Sequence, residues 1–242
     1  MNGDSNVNGV DRRGTAVLFS AGLDSAVLLA EAIRARTGTV ATPHPVQPVY
    51  VSAGLAWESQ ELEAAGRLLA HAPFDGCALP LVVLEVDMRD VYPASHWAVR
   101  GEAPGYDTPD QDVYLEGRNI VLLAKASVYM ARAGLARILM GTLGGNPFPD
   151  ATPAFFEAMA RALSLGLGTP VGIQAPFASL HKADVVRIGR TLGVPLELTL
   201  SCMQPRGGRH CGRCSKCRER IDAFRAAGGE DPTDYATLTT RS

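Results

Sequence analysis

The chain is short of aromatic residues (6%) and has no charge of one sign to spare, with 23 Lys and Arg against 25 Asp and Glu. A near-neutral chain has no overall attraction to nucleic acid, so any such contact would rest on a local patch. No apolar run reaches the roughly 18 residues of a membrane span. The opening residues, MNGDSNVNGVDRRG, lack a basic start followed by an apolar core. No export leader is therefore expected, residues 1–13 read as a polar flexible tail, and the expected location is the cytoplasm. There is no internal repeat and no low-complexity tract. Cysteine is also scarce, 5 in all, yet four of them crowd between Cys202 and Cys217. Without a leader, that crowding favours metal over disulfides.

What is present suits a globular α/β protein. A hydrophobic share of 46% and a charged share of 20% exclude disorder of the whole chain. Strand-like apolar runs lie at TAVLF (15–19), PVYV (48–51), LPLVVLEVDM (79–88), ARILMGT (136–142) and VGIQAPF (171–177). Helix-period segments follow them at 25–36, 58–72, 119–134, 154–167 and 181–193. The alternation predicts an open, mostly parallel five-stranded sheet with helices on both faces. Residues 14–200 would form this domain, and 201–242 a small metal-bound C-terminal subdomain and tail. The Pro-, Gly- and Asp-rich stretch from Tyr92 to Tyr114 reads as a long loop or lid.

The first strand runs into SAGLDS, and an alanine-rich helix follows. Ligands of open α/β sheets gather at the C-terminal ends of the strands. A Gly/Ser loop there exposes N–H groups at a helix N-terminus, which attracts phosphate. Ser20 and Ser25 add hydroxyls, and Gly22 permits close approach. Asp24 would repel phosphate unless it helps to hold Mg²⁺. The same residues also suit a plain helix cap, and spacing alone leaves both readings open. The Walker pattern is excluded, because no Gly-Lys-Ser/Thr follows.

Cys202, Cys211, Cys214 and Cys217 form a C-x8-C-x2-C-x2-C array. Four thiolates suit one tetrahedral Zn²⁺ in a closed structural site. An iron–sulfur cluster or a redox dithiol is the alternative. Arg206, Arg209, Arg213, Lys216, Arg218 and Arg220 surround the array and would favour thiolates. With four Cys available, His210 is expected to be a bystander, and Cys77 an ordinary buried thiol.

FSAGLDSAVLL resembles the PP-loop of the ATP pyrophosphatases, with Ala21 in place of the first glycine. If that position needs positive φ, Ala costs about 1 kcal/mol or more there. TLSCMQP…RHCGRCSKCRERIDAF resembles the zinc tail of the 7-cyano-7-deazaguanine synthase family. GLAWESQELEAA, EGRNIVLLAKASVYMA and PFASLHKADVVRIGRTLGVPLELTLSC match that family in order, so the resemblance spans about Thr15 to Phe224.

The resemblance implies a PP-loop fold and an ATP-dependent ligase. A deazapurine carboxylate is adenylated, pyrophosphate leaves, ammonia gives an amide, and a second activation gives the nitrile. It carries an ATP site onto Phe19, Ser20, Ala21, Gly22, Leu23, Asp24, Ser25, Ala26, Val27, Leu28 and Leu29, with Asn119 and Gly141. Asp24, Ser20, Ser25, Lys182 and Arg118 would be the catalytic set, Lys182 as a cation on the phosphates. Mg²⁺ would accompany ATP, one structural Zn²⁺ would fasten the tail, and the protein would be a homodimer with no membrane or nucleic-acid partner.

Phe148 and Asp150 follow the fourth strand, where a substrate should bind. Phe148 could stack on a heterocycle and Asp150 could accept guanine-like N–H groups. The family pattern there is Tyr-Pro-Asp-Cys-Arg, and Ala151 and Thr152 replace its Cys and Arg, which leaves room for another carboxylate substrate. A nucleic-acid-binding zinc ribbon with an inactive loop is the reading from another class. Asn119 reads as a helix cap, His181 as a polar loop residue, Lys125 as structural and Phe155 and Phe156 as helix core. Glu58, Glu61 and Glu63 read as a solvated helix face.

Overall fold

The computed structural model describes residues 14–36 and 44–237, so the expected N-terminal tail lies outside the described residues. Five strands form one parallel sheet: β1 (Gly14–Leu18), β2 (Val46–Ser52), β3 (Val82–Glu85), β4 (Leu135–Leu139) and β5 (Gly172–Gln174). Their order is β3-β2-β1-β4-β5. The order reverses between β1 and β4, which pair in parallel from Gly14↔Leu135 to Val17↔Leu139. A crevice opens at such a reversal, beyond the C-terminal strand ends. The strands expected around Leu79 and Val171 are shorter than their apolar runs, because neighbours pair only along the central residues.

Helices cover both faces. On one lie α1 (Leu23–Arg36), α2 (Glu58–Leu69), α6 (Lys182–Thr191) and α7 (Ser215–Ala227). On the other lie α4 (Arg118–Ala133) and α5 (Pro153–Leu167). In α1 Ala26, Val27, Leu28, Leu29, Ala30 and Ile33 are all buried, as expected of a helix apolar on most sides and enclosed by its neighbours. α6 crosses it closely: a Cβ on Gly189 would stand 2.8 Å from Val27 Cγ2, so the crossing depends on glycine there. Each crossover returns to a parallel strand and leaves the N-terminus of its helix near the sheet's C-terminal edge.

The stretch from Tyr92 to Tyr114 is more ordered than a simple loop. It contains α3 (Trp97–Arg100) and a 3₁₀ turn at Asp110–Val113. Its Tyr92, Ala98 and Val113 bury themselves with Ala53, Leu55, Trp57 and Met203, making a third apolar cluster over the crevice. The C-terminal segment joins the main core rather than hanging from it. All four cysteines and Phe224 bury with α1 and α6. Arg220 is fully buried and donates to the Leu196 carbonyl (2.7 Å), Thr199 Oγ1 (2.8 Å) and Ser201 Oγ (3.2 Å). It is therefore a structural tie and not part of a basic surface around the thiols. Among the described residues no helix is long and apolar enough to cross a membrane.

Candidate active site

Two cavities meet at the strand-order reversal. One, of about 390 Å³, reaches from the loop after β1 across to α7, the 92–115 stretch and the loop after β4. The other, of about 210 Å³, lies over the ends of β1, β2 and β4. Ser20, Gly22, Asp24, Arg118, Asn119 and Gly141 line both. Leu23, Phe148, Asp150 and Lys182 line the larger, and Phe19 and Ser25 the smaller. Ala21, Ala26, Val27, Leu28 and Leu29 line neither and sit in the core behind the loop.

The loop is tightly held. Ser25 Oγ donates to the Gly22 carbonyl at 3.1 Å and accepts from the Ser20 N–H at 3.3 Å. Ala21 has φ +58°, the left-handed region, and it alone among the described non-glycine residues does so. That conformation costs roughly 1–2 kcal/mol for a residue with a Cβ. Its methyl is fully buried in the α1-face core, which returns about 0.8 kcal/mol. The burial offsets part of that cost, which makes alanine tolerable at a position that favours glycine. Gly141 closes the site from β4: a Cβ there would lie 3.3 Å from the Asp24 carbonyl carbon and 3.4 Å from Ser25 N.

Lys182 begins α6 and bridges two carboxylates. Its Nζ lies 2.9 Å from Asp24 Oδ2 and 2.9 Å from Glu219 Oε1, and Glu219 Oε2 accepts from Lys216 at 2.8 Å. Burial alone would lower the lysine's pKa, but Asp24 and Glu219 outweigh it and hold the ammonium above the ordinary lysine range. Burial opposes ionisation of Glu219 as well, and Lys182 and Lys216 overcome it, bringing that carboxyl down to about 2. The other Asp24 oxygen, Oδ1, is buried and has no hydrogen-bond partner. A free carboxylate oxygen at a phosphate-type loop fits a metal ligand.

Glu58 and Glu61 correct the expectation of a solvated face, since only Glu63 of the three is exposed. Glu58 accepts from Ser52 Oγ (2.6 Å), Ala53 N (2.7 Å) and Gly54 N (3.1 Å), tying α2 to the end of β2. Glu61 lines the larger cavity and accepts from Tyr50 Oη at 2.7 Å. Burial raises its pKa to about 7, against the opposing charge of Arg118. The signal was present in the helical phase, because Glu58 and Glu61 share a face with Ala65 and Leu68.

Aromatic rings wall the larger cavity. Trp57 and Trp97 stack at 5.6 Å between centroids and 9° between planes, and Tyr114 and Phe148 at 5.0 Å and 23°. Asp150 is buried beside them, but its oxygens accept from the Asn119 backbone N–H (3.1 Å) and side chain (3.3 Å). Asn119 thus anchors the start of α4 to Asp150 instead of capping the helix itself; the residue before the helix is Gly117. Ala151 is buried, Thr152 caps α5 by accepting from Phe155 N, and neither lines either of these two cavities. Phe156 is core and Phe155 partly covered.

The Sγ atoms of Cys202, Cys211, Cys214 and Cys217 lie within 4.8 Å of one another, with close pairs at 3.5, 3.8 and 3.9 Å. Tetrahedral zinc at about 2.3 Å from each sulfur sets its ligands about 3.8 Å apart. A four-iron cluster gives each thiolate its own iron and spreads them further. The N–H groups of Gln204, Cys211 and Arg213 point at Cys202 and Cys211 sulfurs at 3.3–3.4 Å, the support that bound thiolates receive. The donor set could hold a metal ion. His210 stands outside it, accepting from Ser201 N at 3.0 Å, and burial with the nearby Arg220 charge brings its pKa down to about 3. Cys77 is partly covered and free.

The family model described as Queuosine biosynthesis protein QueC matches residues 14–228. The 7-cyano-7-deazaguanine synthase of Thermoplasma acidophilum is 32% identical, over 96% of this chain and 95% of that protein. The protein of the same name from Picrophilus torridus is 30% identical over 90% of each. That of Anaeromyxobacter dehalogenans is 40% identical over 51% of this chain and 56% of its own. Among solved structures, the U34-tRNA thiolase NcsA from Methanococcus maripaludis with its 4Fe-4S cluster gives a TM-score of 0.49 at 10% identity, over 76% of this chain and 58% of that one. That last likeness is too distant to bear on chemistry. The match over nearly the whole chain, with the five-stranded parallel sheet and the four-cysteine cluster, makes this chain a member of the QueC family.

Proposed function

We propose that this chain is an ATP-dependent ligase that converts 7-carboxy-7-deazaguanine and ammonia to 7-cyano-7-deazaguanine. The observation that carries the reading is the continuity of the smaller cavity, over the loop after β1, with the aromatic-walled larger one, the two cavities sharing Ser20, Gly22, Asp24 and Arg118. A nucleotide over the ends of β1 and β4 would present its phosphates to a carboxylate held in the larger space. The names borne by the relatives agree with this product.

In the proposed reaction the carboxylate oxygen attacks the α-phosphate, and pyrophosphate leaves. Ammonia displaces AMP from the acyl adenylate and gives the amide. The amide oxygen is then adenylated by a second ATP, again releasing pyrophosphate, and loss of AMP with two N–H protons leaves the nitrile. Loop N–H groups, the Ser20 and Ser25 hydroxyls and the Lys182 ammonium bind and orient the phosphates and stabilise charge on the departing pyrophosphate. Asp24, through its unpartnered Oδ1, would hold Mg²⁺. That ion supplies further charge neutralisation on the phosphates. No side-chain nucleophile is required.

Zinc in the four-cysteine site would fasten α7, and with it Lys216 and Glu219, against the phosphate loop. The altered Ala151–Thr152 pair lends little to a different carboxylate substrate, since neither residue lines the cavities. The nucleic-acid reading loses three of the six basic residues of its patch, while Arg206, Arg209 and Arg213 stay exposed. Arg220 is buried, Arg218 donates to the Tyr106 and Thr108 carbonyls, and Lys216 is paired with Glu219. As in the family resemblance, the enzyme would act as a cytoplasmic homodimer. Release of AMP and pyrophosphate that needs the deazapurine carboxylate, in the wild type and not in Asp24→Ala, tests the reading. Absence of that release in the wild type would sink it.

A further inference from the structure

Among the charged side chains of the larger cavity, Glu61 and Arg118 are two to which the reaction steps above give no task. Both line it, together with Trp57, Trp97 and Phe148. Glu61 is only 8% exposed and accepts from Tyr50 Oη at 2.7 Å, with Trp57 a second side-chain partner. The charge of Arg118 acts on Glu61, yet among the described residues no carboxylate lies within ion-pair distance of Arg118. Arg118 Nε is buried without a hydrogen-bond partner. A buried carboxylate and a half-buried guanidinium thus share a cavity without closing on each other. Leaving such groups unmet costs free energy, and a ligand that meets both recovers it.

We infer that Glu61 and Arg118 read the hydrogen-bonding edge of the heterocycle, with Glu61 accepting its ring N–H and exocyclic amino groups and Arg118 donating to the adjacent carbonyl. A guanine-type edge carries that acceptor and those donors side by side. A carboxylate takes two donors and a guanidinium supplies them, so the pair matches the edge without any proton transfer. The stacked rings of Trp57 with Trp97 and of Tyr114 with Phe148 give planar walls for the same ligand. Asp150, the carboxylate that sequence reasoning favoured for this task, has its oxygens engaged by Asn119. The elevated pKa of Glu61 agrees, since burial outweighs the Tyr50 and Trp57 hydrogen bonds and the Arg118 charge that favour its ionised form. Glu61 and Arg118 would then be specificity-determining residues.

This assignment rests on the deazapurine reading above. The test uses the full-length, metal-loaded protein and two ligands: 7-carboxy-7-deazaguanine and its analogue lacking the 2-amino group. Calorimetric titration of the wild type should show the guanine form binding about 10- to 100-fold more tightly, the range of one hydrogen bond to a buried charge. Glu61→Gln should lose that preference while the KM for ATP stays unchanged. Equal binding of both ligands by a wild type that still forms nitrile overturns the assignment and leaves the reading intact, whatever the variant does. A raised KM for ATP in Glu61→Gln also overturns it, by placing adenine against this pair. A wild type that binds neither ligand and forms no nitrile overturns both.

Discussion

Lys182 Nζ stands 2.9 Å from Asp24 Oδ2, and the two residues are 158 positions apart in the sequence. The contact sets the N-terminus of α6 against that of α1, so a cation of one helix sits where the loop of the other offers its N–H groups. Glu219 of α7 completes the bridge and brings the metal-site helix to the same point. An incoming phosphate would find Lys182 already desolvated and aimed at the loop.

Replacing Lys182 with Met should therefore lower kcat/KM for ATP by about 10²–10³-fold, the usual effect of losing one donor to a developing anion. Steady-state kinetics of pyrophosphate release measure it. A variant within threefold of wild type would remove Lys182 from the phosphate site.

Metal removal should act on the fold. Chelation, or Cys217→Ser, should destabilise the C-terminal segment by an amount on the order of several kcal/mol and release its cysteines to thiol reagents. Elemental analysis of the purified protein should find one zinc per chain. Iron with sulfide and visible absorption would refute the zinc assignment.

Glu61 should give the stability a pH dependence of defined sign. Its carboxyl ionises near 4.5 in the unfolded chain and near 7 when folded, so between those values the folded state holds more protons. Stability must then fall as pH rises from 4.5 to 7, by on the order of 3 kcal/mol if the whole shift is expressed. Glu61→Gln should flatten that decline and melt higher than wild type at pH 7.5. A steeper decline in the variant would contradict the buried-carboxylate account.

Ala21 offers a test of local strain. Ala21→Gly relieves the positive φ and removes a buried methyl, so its melting temperature should stay within about 4 °C of wild type. Ala21→Val adds a β-branched side chain at φ +58° and should lower it markedly more. Thermal melts of both decide the point, and a well-tolerated valine would argue against the left-handed conformation.

The parts legible in the sequence are those written locally. Buried parallel strands are continuous apolar runs, and four cysteines at short spacing announce a metal site without long-range information. The loop after β1 was readable as a phosphate turn because its glycine, serines and aspartate are contiguous. Glu61 and Glu219 were not, because a charge on a helix reads as solvated until the packing partner is known. Those partners are Tyr50 and Lys182, brought close only by the crossovers of the sheet. Asp150 shows the converse: its place in the cavity followed from the strand before it, but its engagement by Asn119 depends on a residue 31 positions away.

Carboxylate-to-nitrile conversion at the loop after β1 can be followed in a single reaction. The metal-loaded protein is incubated with ATP, Mg²⁺, ¹⁵N-ammonium and 7-carboxy-7-deazaguanine, and the products are followed by mass spectrometry. A transient ¹⁵N-amide is expected, then the ¹⁵N-nitrile, with AMP formed in step and none of these in Asp24→Ala. AMP without either nitrogen product would contradict the substrate assignment, and nitrile formation undiminished in Asp24→Ala would contradict the site.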